Sequence, residues 1–333
     1  MTTAKPLEVS LEAQGTLPNF RYETILPLVQ GRVPIEGVTL KPSGFMESAG
    51  YFDNPKFKDG DFGLLDANWG DVVPAMDAGW DMVCLPVFIK RKPVWNYLWV
   101  RTDRGINEPK DLEGKTFSTG GYGSAITIYT RGFLQHDHGV DLHKLNWLLG
   151  APARFDIHDK DMHVEVATGE RKAPMQRLMD GEVDACTGDI TDAALWSALE
   201  SSSQVKRLFP DYQERNQKLF KEKDIYTPVH IILMGGKLNR EHPELAATLY
   251  DAFQRSKETA VLDALGDGAG PSLIPHVRER FRDQQTEWGD LWKHGISANK
   301  NTINTFLDYL HEHGLTKSRL GVEQVFAAGT LNT

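Results

Sequence analysis

A glycine-rich segment at residues 119–125 (TGGYGSA) holds the side chains and backbone groups best suited to bind an anion. The pattern predicts a short strand before it and a helix after it. Such a junction exposes unpaired backbone N–H groups at the positive end of a helix dipole, where a carboxylate is stabilised. We therefore expect Tyr122, Gly123 and Ser124 to contact a ligand. The alternative is that the glycines only turn the chain.

Another polar loop is expected after the first predicted strand, Leu7 to Leu11. Residues 14–21 are polar and are punctuated by glycine and proline, as in a loop at the end of a strand. Within that loop, Asn19 and Arg21 are candidate ligand contacts, and the Arg21 guanidinium could reach a carboxylate. A solvated loop arginine is the alternative.

A third segment, residues 61–71, begins apolar, becomes polar and runs into a helical pattern. Polar residues at the carboxyl ends of strands are where an open α/β sheet presents its ligand loops. This position makes Asp66, Asn68 and Trp69 candidate binding residues. For Trp69, a place in the hydrophobic core is an equal alternative.

The densest cationic run of the chain is Lys90-Arg91-Lys92, which follows a continuous apolar run at residues 82–88. A guanidinium can bind a carboxylate at two points, so we predict that Arg91 points into a cleft. The alternative is a solvated cationic face. Trp95, shortly afterwards, is a candidate for stacking on a ligand ring.

Two further polar residues lie in predicted strands of the second half of the chain. Asp189 lies at the polar end of a turn and strand at residues 181–189, and His230 interrupts a β-like run at residues 225–234. A single histidine in a strand is often structural. The position of His230 beside Pro228, where the chain would return from one lobe to the other, favours a functional role instead.

Length and charge restrict the classes of function. A chain of 333 residues is long enough for two lobes with a cleft between them. Its net charge of -9 argues against nucleic acid and anionic membranes as partners. The sequence has no apolar run of the length that a membrane span or a secretory signal needs, so we expect a cytoplasmic protein.

Metal and disulfide chemistry are not expected. Cys84 and Cys186 lie in no Cys-x-x-Cys or Cys/His spacing, which argues against a structural zinc site or a disulfide framework. Residues 155–163 are rich in metal-capable side chains, yet no His-x-x-x-His pair occurs there. We therefore predict no metal site.

The order of these segments resembles the type II periplasmic-binding-protein fold, an α/β fold with two lobes and a ligand cleft between them. The patterns that carry this resemblance are residues 112–115 (LEGK), 178–185 (LMDGEVDA) and 228–230 (PVH). The resemblance implies a discontinuous lobe I of residues 1–99 and 226–333, with a helical C-terminal tail. Lobe II would comprise residues 100–225.

More narrowly, the chain resembles the 4,5-dihydroxyphthalate decarboxylase family. The pieces that carry this resemblance occur in order along the chain: Gly31-Arg32-Val33 with Glu36-Gly37-Val38, Leu85-Pro86-Val87-Phe88 with Arg91, Tyr122 with Arg131-Gly132, Trp147 with Gly150, His230, and Trp292 through Gly295 to Asn299. The chain departs from the family at Val94-Trp95, where an Arg-His pair is usual, and in the glycines around Tyr122. These departures point to a ligand other than phthalate itself.

The resemblance implies a lyase that decarboxylates a hydroxylated aromatic acid without a cofactor. Decarboxylation of such an acid needs groups that hold carboxylates and an acid that protonates the ring carbon. Arg91 and the N–H groups of Gly123 and Ser124 would bind carboxylates, and His230 would supply or relay the proton. Asp66 or Asp189 would accept a hydrogen bond from a ring hydroxyl, and the aromatic residues Trp69, Trp95 and Tyr122 would stack on the ring.

Two other functions are compatible with the same cleft. One is the solute-binding protein of an ABC transporter for a small aromatic or carboxylate ligand, and the other is a cytosolic ligand sensor. A transporter's binding protein must leave the cytoplasm, and the sequence carries no recognisable DNA-binding or signalling appendage. These observations favour the enzyme. Assembly into a homo-oligomer stays open.

Overall fold

The computed structural model describes residues 5–16, 19–20, 22–45, 53–170, 172–188, 192–266 and 274–333. The strands are β1 (Leu7–Thr16), β2 (Asn19–Phe20), β3 (Val38–Phe45), β4 (Leu64–Asn68), β5 (Met82–Arg91), β6 (Trp99–Arg101), β7 (Thr116–Thr119), β8 (Asn146–Leu149), β9 (Val164–Val166), β10 (Ala185–Thr187), β11 (Val205–Arg207) and β12 (Pro228–Gly235). The α-helices are α1 (Leu26–Val29), α2 (Pro55–Lys58), α3 (Trp69–Asp77), α4 (Ala125–His138), α5 (Pro174–Met179), α6 (Ala193–Ser201), α7 (Tyr212–Lys223), α8 (Gly236–Glu241), α9 (Leu245–Leu265), α10 (Val277–Trp288), α11 (Lys300–Glu312) and α12 (Val322–Val325).

The strands form two sheets that divide the chain. In the first sheet β1, β4, β12 and β5 lie side by side, and β2 and β3 both pair with β1. In the second sheet the order is β11-β6-β10-β7-β8-β9. The first sheet is built from both ends of the chain and the second from its middle. The predicted two-lobed α/β fold is confirmed, while the exact lobe limits at 99/100 and 225/226 stay a prediction.

Parallel pairing brings the ends of several strands to common edges. Strand β4 runs parallel to β1, and β7 runs parallel to both β8 and β10. The carboxyl ends of parallel strands meet at one edge of a sheet, which is where open α/β sheets bind ligands. The loops after β4, β7, β8 and β10 are therefore the positions at which a site is expected.

Strand β12 is the buried centre of the first sheet. It pairs antiparallel with β4 on one side and with β5 on the other, and all eight of its residues are buried. Such a continuous apolar run is typical of a strand covered on both faces. Helix α9 packs against one side of this sheet, and α3, α4 and α11 pack together on the other side. The polar residue His230 in β12 therefore lies deep in the structure.

No α-helix in the described ranges is both long and apolar enough to span a membrane.

Two buried histidines make the folded chain sensitive to acid. Burial lowers the pKa of His294 to about 3, and burial followed by the Arg131 charge lowers the pKa of His313 well below 6.5. Both rings stay neutral when folded but take up protons in the unfolded chain below pH 6.5, so acid favours unfolding. Burial raises the pKa of Asp71 to about 6, so this carboxyl takes up its proton more readily in the folded chain and opposes acid unfolding. His230, whose pKa burial also lowers, adds to the loss of stability in acid. We expect a net loss of unfolding free energy on the order of 1 kcal/mol or more per pH unit below pH 6.

Urea denaturation at pH 6.5, 5.5 and 5.0 checks this expectation. A His294→Phe variant should lose less stability over the same range, because one of the protonating rings is gone. An unfolding free energy that does not depend on pH would contradict the assignment.

Candidate functional site

The centre of the candidate site is a buried pair formed by His230 and Asp66. His230 on β12 lies opposite Asn68 on β4, and Asp66 lies opposite Ile232, so both side chains project from the same face of the sheet. The Nδ1 atom of His230 lies 2.6 Å from Oδ1 of Asp66. The Asp66 side chain is fully buried and that of His230 is 11% exposed. A carboxylate and an imidazole are thus held in contact with little access to water.

The protonation of this pair follows from its surroundings. Burial lowers the pKa of His230, and the neighbouring Asp66 charge opposes that effect. Lys90 and Lys92 lower it further. A neutral ring that donates from Nδ1 to the carboxylate of Asp66 has Nε2 as its acceptor. The Tyr22 hydroxyl lies 3.5 Å from Nδ1. The pair is arranged as a carboxylate-oriented imidazole that can accept and return a proton.

The predicted glycine loop lines a cavity of about 860 Å³. This cavity lies at the carboxyl ends of β4, β7, β8 and β10, which supply its walls. The residues of the loop that contact it are Gly120, Gly121, Tyr122, Gly123 and Ser124. The wall also carries charges of both signs, including Asp71, Arg154 and Arg177. The three predicted binding residues of this loop, Tyr122, Gly123 and Ser124, therefore do line a common space.

Asn68 joins the end of β4 to the glycine loop. Its Oδ1 accepts hydrogen bonds from the backbone N–H of Ala125 at 3.1 Å and of Gly70 at 3.4 Å. Its Nδ2 donates to the Gly123 carbonyl at 3.1 Å and to the Asp71 carboxylate at 2.8 Å. The Asn68 side chain therefore accepts the hydrogen bond from a backbone N–H in the first turn of α4, and the Ser124 side chain does not. The Asn68 side-chain amide therefore occupies part of the position that the sequence predicted for a bound anion.

Close packing explains two of the glycines. A Cβ atom added at Gly70 would collide with the carbonyl oxygen of Gly123, and one added at Gly123 would lie 2.6 Å from Oδ1 of Asp71. Any larger residue at either position would force the two loops apart. The glycines thus serve the contact between these loops as well as lining the cavity.

The Arg91 side chain has structural partners. Its guanidinium donates to the carbonyl oxygens of Tyr226 and Lys293 and to Oδ1 of Asn299, each at 2.6 Å. Burial lowers its pKa to about 10. The guanidinium is directed at the C-terminal part of the chain, so the structure does not bring it together with His230 or with the glycine loop. The geometry does not support the predicted carboxylate contact.

Replacement of Arg91 by Met tests this structural role. The substitution leaves the Tyr226 carbonyl and Oδ1 of Asn299 without this donor, while the Lys293 carbonyl keeps its hydrogen bond from Nδ2 of Asn299. Each unsatisfied group costs about 1–3 kcal/mol. We expect the free energy of unfolding, measured by urea denaturation, to fall by about 3 kcal/mol. The exposed Arg282, replaced by Met, is the control and should leave stability unchanged. Normal stability in Arg91→Met with loss of carboxylate binding would restore Arg91 to the site.

The aromatic residues predicted to stack on a ligand are core residues. Trp69 is fully buried and stacks on Phe306 with ring centroids 4.2 Å apart. Trp95 is buried and packs edge-on against Phe209 at 4.8 Å. Neither tryptophan lines the cavity beside the glycine loop, so the core alternative holds for Trp69. The reason is that helices from distant parts of the chain cover both rings.

Tyr122 is anchored although it reaches the cavity wall. Its hydroxyl donates to the His313 carbonyl at 3.0 Å, and the Arg131 guanidinium lies 3.9 Å from its ring centroid. The polar end of Tyr122 is therefore occupied within the protein.

Three predicted residues cannot be placed in the site. Arg21 and Asp189 lie outside the described residues, and the description of Asn19 is limited to its backbone, which pairs with Thr16 as part of β2. Their predicted roles stay predictions. In the described ranges, no cluster of three or more His, Cys, Asp or Glu side chains is arranged to hold a metal ion.

Three groups around His230 are not among the residues predicted from the sequence. Tyr22 approaches its ring, and Lys90 is its cross-strand neighbour on β5. Lys92 is close enough to lower its pKa. For the two lysines, the available signal was the cationic run Lys90-Arg91-Lys92 itself.

The chain is similar in sequence to two named enzymes, although no family model matches it. The 4,5-dihydroxyphthalate decarboxylase of Comamonas testosteroni is 26% identical over 320 residues, which cover 94% of this chain and 96% of that protein. The enzyme of the same name from Pseudomonas putida is 28% identical over 175 residues, which cover 50% of this chain and 67% of that protein. The predicted sequence resemblance is confirmed.

Among solved structures, the chain is similar to periplasmic sulfonate-binding proteins. The one from Methylobacillus flagellatus KT has a TM-score of 0.59 and 11% identity, and the match covers 97% of this chain and 92% of that protein. The aliphatic sulphonate binding protein of Escherichia coli has a TM-score of 0.52 and 15% identity, and the match covers 98% of this chain and 100% of that protein. At these identities the similarity establishes the fold alone. The chain is a distant relative of the 4,5-dihydroxyphthalate decarboxylases and has the fold of the type II periplasmic binding proteins.

Proposed function

We propose that this chain is a cofactor-free decarboxylase of a hydroxylated aromatic carboxylic acid. The observation that carries the proposal is the buried pair of His230 and Asp66, joined at 2.6 Å within the central strands of the first sheet. A pocket that only binds a carboxylate has no need of a buried imidazole oriented by a carboxylate, whereas proton transfer does. The name shared by the two sequence relatives supports the same reaction class.

The reaction exchanges a carboxyl group for a proton on the ring. A proton adds to the ring carbon that bears the carboxylate, which gives a dearomatised intermediate whose charge is stabilised by the ring hydroxyls. The C–C bond then breaks, its electron pair restores the aromatic ring, and CO2 leaves. His230 would accept a proton from a ring hydroxyl at Nε2 and deliver it to the ring carbon. The phenolate left after CO2 departs would then take up one proton from solvent, which restores the ring hydroxyl. Asp66 would orient the imidazole and stabilise the imidazolium.

Electrostatics couple this step to substrate binding. In the free protein the pKa of His230 is held below its ordinary value by burial and by Lys90 and Lys92. A bound carboxylate brings negative charge that offsets the lysines and raises that pKa again. The imidazolium would therefore form mainly when the substrate is present.

Mass analysis of incubated ligands tests the proposal. The protein is screened by thermal shift against 4,5-dihydroxyphthalate, 3,4-dihydroxybenzoate and related hydroxybenzoates, and each ligand that binds is then incubated and analysed for loss of CO2. We expect at least one ligand to be converted to the compound that lacks one carboxyl group. Binding without conversion across the whole series would refute the decarboxylase.

The second candidate is a solute-binding protein for a small aromatic or carboxylate ligand. It is favoured by the fold similarity to proteins whose names state that they bind sulfonates. A cleft that closes on a ligand without reacting needs the same lobes. The two functions differ in the fate of the ligand, which the same screen measures.

A further inference from the structure

A second cavity, of about 580 Å³, lies between the segment after β2, the end of β5 and the helices α9 and α10. Its lining includes the cations Lys90, Lys92 and Lys257. The rest of the lining is largely apolar or aromatic and includes Ile89, Ala260, Val261, Val277, Phe281 and Trp292. A space lined by both cationic and apolar groups suits a ligand that has an anionic group on a flat apolar body.

The two lysines flank Arg91 but differ from it in their contacts. Lys90 and Lys92 line the cavity, whereas the Arg91 guanidinium donates to Tyr226, Lys293 and Asn299. Both lysines are half-buried. The amino group of Lys92 lies 4.9 Å from the ring centroid of Tyr97 and makes a cation–π contact with that ring. Lys90 lies within β5 and Lys92 directly follows it, so the two cations are carried by a strand and its immediate continuation.

Tyr22 connects this cavity to the His230 and Asp66 pair. It lines the cavity, and its hydroxyl lies 3.5 Å from Nδ1 of His230. Lys90, which also lines the cavity, is the cross-strand partner of His230, at a point where the pairing of β5 with β12 shifts register. By contrast, His230 has no described hydrogen bond to the glycine loop that lines the other cavity. The cationic cavity is therefore linked to the proton-transfer pair through Tyr22 and Lys90, while His230 and Asp66 themselves are not among the residues that line it.

We propose that Lys90 and Lys92 bind the carboxylate of the substrate and that the cavity they line, not the one beside the glycine loop, holds the aromatic ring. The assignment rests on the proposed function and names the binding residues for it. It places the carboxylate on the strand next to His230, with the ring against Phe281 and Trp292. The two lysines thus have the carboxylate-binding role that the sequence predicted for Arg91.

The charges around the cavity agree with an anionic ligand. Burial, followed by the charge of Lys90, lowers the pKa of Lys92 to about 7. The other titratable groups of the wall are Tyr22, Glu23 and Lys257; Glu23 is exposed, and Lys257 is paired with Asp290 at 2.7 Å. A bound carboxylate stabilises the charged form of Lys92 and raises its pKa. Binding should therefore take up a proton near pH 7 and weaken above that pH.

Titration calorimetry with phthalate tests the assignment without relying on turnover. Phthalate is used as an unreactive probe of the carboxylate contacts and not as the substrate, because it carries the carboxylates but no ring hydroxyl. We expect wild type to bind it at pH 6.5 and to bind it several-fold more weakly at pH 8.5. Lys90→Met and Lys92→Met should each weaken binding at pH 6.5 by about tenfold or more. Lys92→Arg should restore binding and remove the pH dependence, because a guanidinium stays charged at both values.

Matched controls locate the ligand. Lys237→Met alters an exposed lysine remote from the cavity and should bind phthalate normally, and Arg154→Met tests the cavity beside the glycine loop. Absence of phthalate binding by wild type, unchanged binding in both lysine variants, or a loss confined to Arg154→Met would each overturn the assignment. Phthalate binding that depends on the lysines, in a protein that releases no CO2, would refute the decarboxylase alone. CO2 release that is unaffected in the lysine variants would refute this assignment alone.

Discussion

Replacement of His230 by Gln is expected to reduce CO2 release by about 10²- to 10⁴-fold, the usual contribution of a positioned acid or base. Glutamine is close in size and can still donate a hydrogen bond to Asp66, which lies 2.6 Å from the present ring. It cannot accept and return a proton at neutral pH. Steady-state kinetics with the substrate found by the ligand screen measures the effect, which should appear in kcat and not in KM.

Two companion variants separate proton transfer from structure. Asp66→Asn should also lower kcat, because the imidazole loses the charge that stabilises its protonated form. His311→Gln alters an exposed histidine on α11 and should leave kcat unchanged. The thermal midpoint of His230→Gln should stay close to that of wild type. Full activity in a folded His230→Gln protein would remove His230 from the mechanism.

Replacement of Trp69 by Ala is expected to destabilise the protein at least as much as the loss of the Arg91 guanidinium. The ring is fully buried, stacks on Phe306 at 4.2 Å and lies 5.3 Å from Phe88. Truncation of such a ring removes buried apolar surface and leaves a cavity, which costs about 3–5 kcal/mol. Urea denaturation should show that loss in the free energy of unfolding.

The conservative variant Trp69→Phe is the control. It keeps an aromatic ring next to Phe306, so the loss of stability should be clearly smaller. A ligand-stacking role predicts something different, namely normal stability with a raised KM. That combination in Trp69→Ala would contradict the placement of Trp69 in the core.

The fold and part of the site can be predicted because they depend on local pattern. Asp66 and His230 each stand out as polar residues in apolar strands, and both belong to the central pair. Their contact cannot be predicted in the same way, since 164 residues separate them and the pairing of β4 with β12 is a long-range event.

The predicted ligand contacts of Arg91 and Trp69 lack support because the direction and burial of these side chains depend on distant parts of the chain. The direction of Arg91 depends on which face of β5 meets the C-terminal part of the chain, and the pairing of β5 with β12 contains register shifts near that point. Whether Trp69 meets a ligand or the core depends on α11, which begins only at Lys300. Neither fact is present in the local sequence.

Incubation in D2O of the substrate labelled with ¹³C at its carboxyl carbons separates catalysis from binding. The proposed reaction forms one C–H bond for each C–C bond broken, so wild type should release ¹³CO2 and produce a ring-monodeuterated product in equal amounts. The His230→Gln protein should bind the substrate and produce little of either. Recovery of the labelled acid unchanged from saturated wild-type protein would show that the cleft binds without reacting, and would contradict the assignment of a decarboxylase.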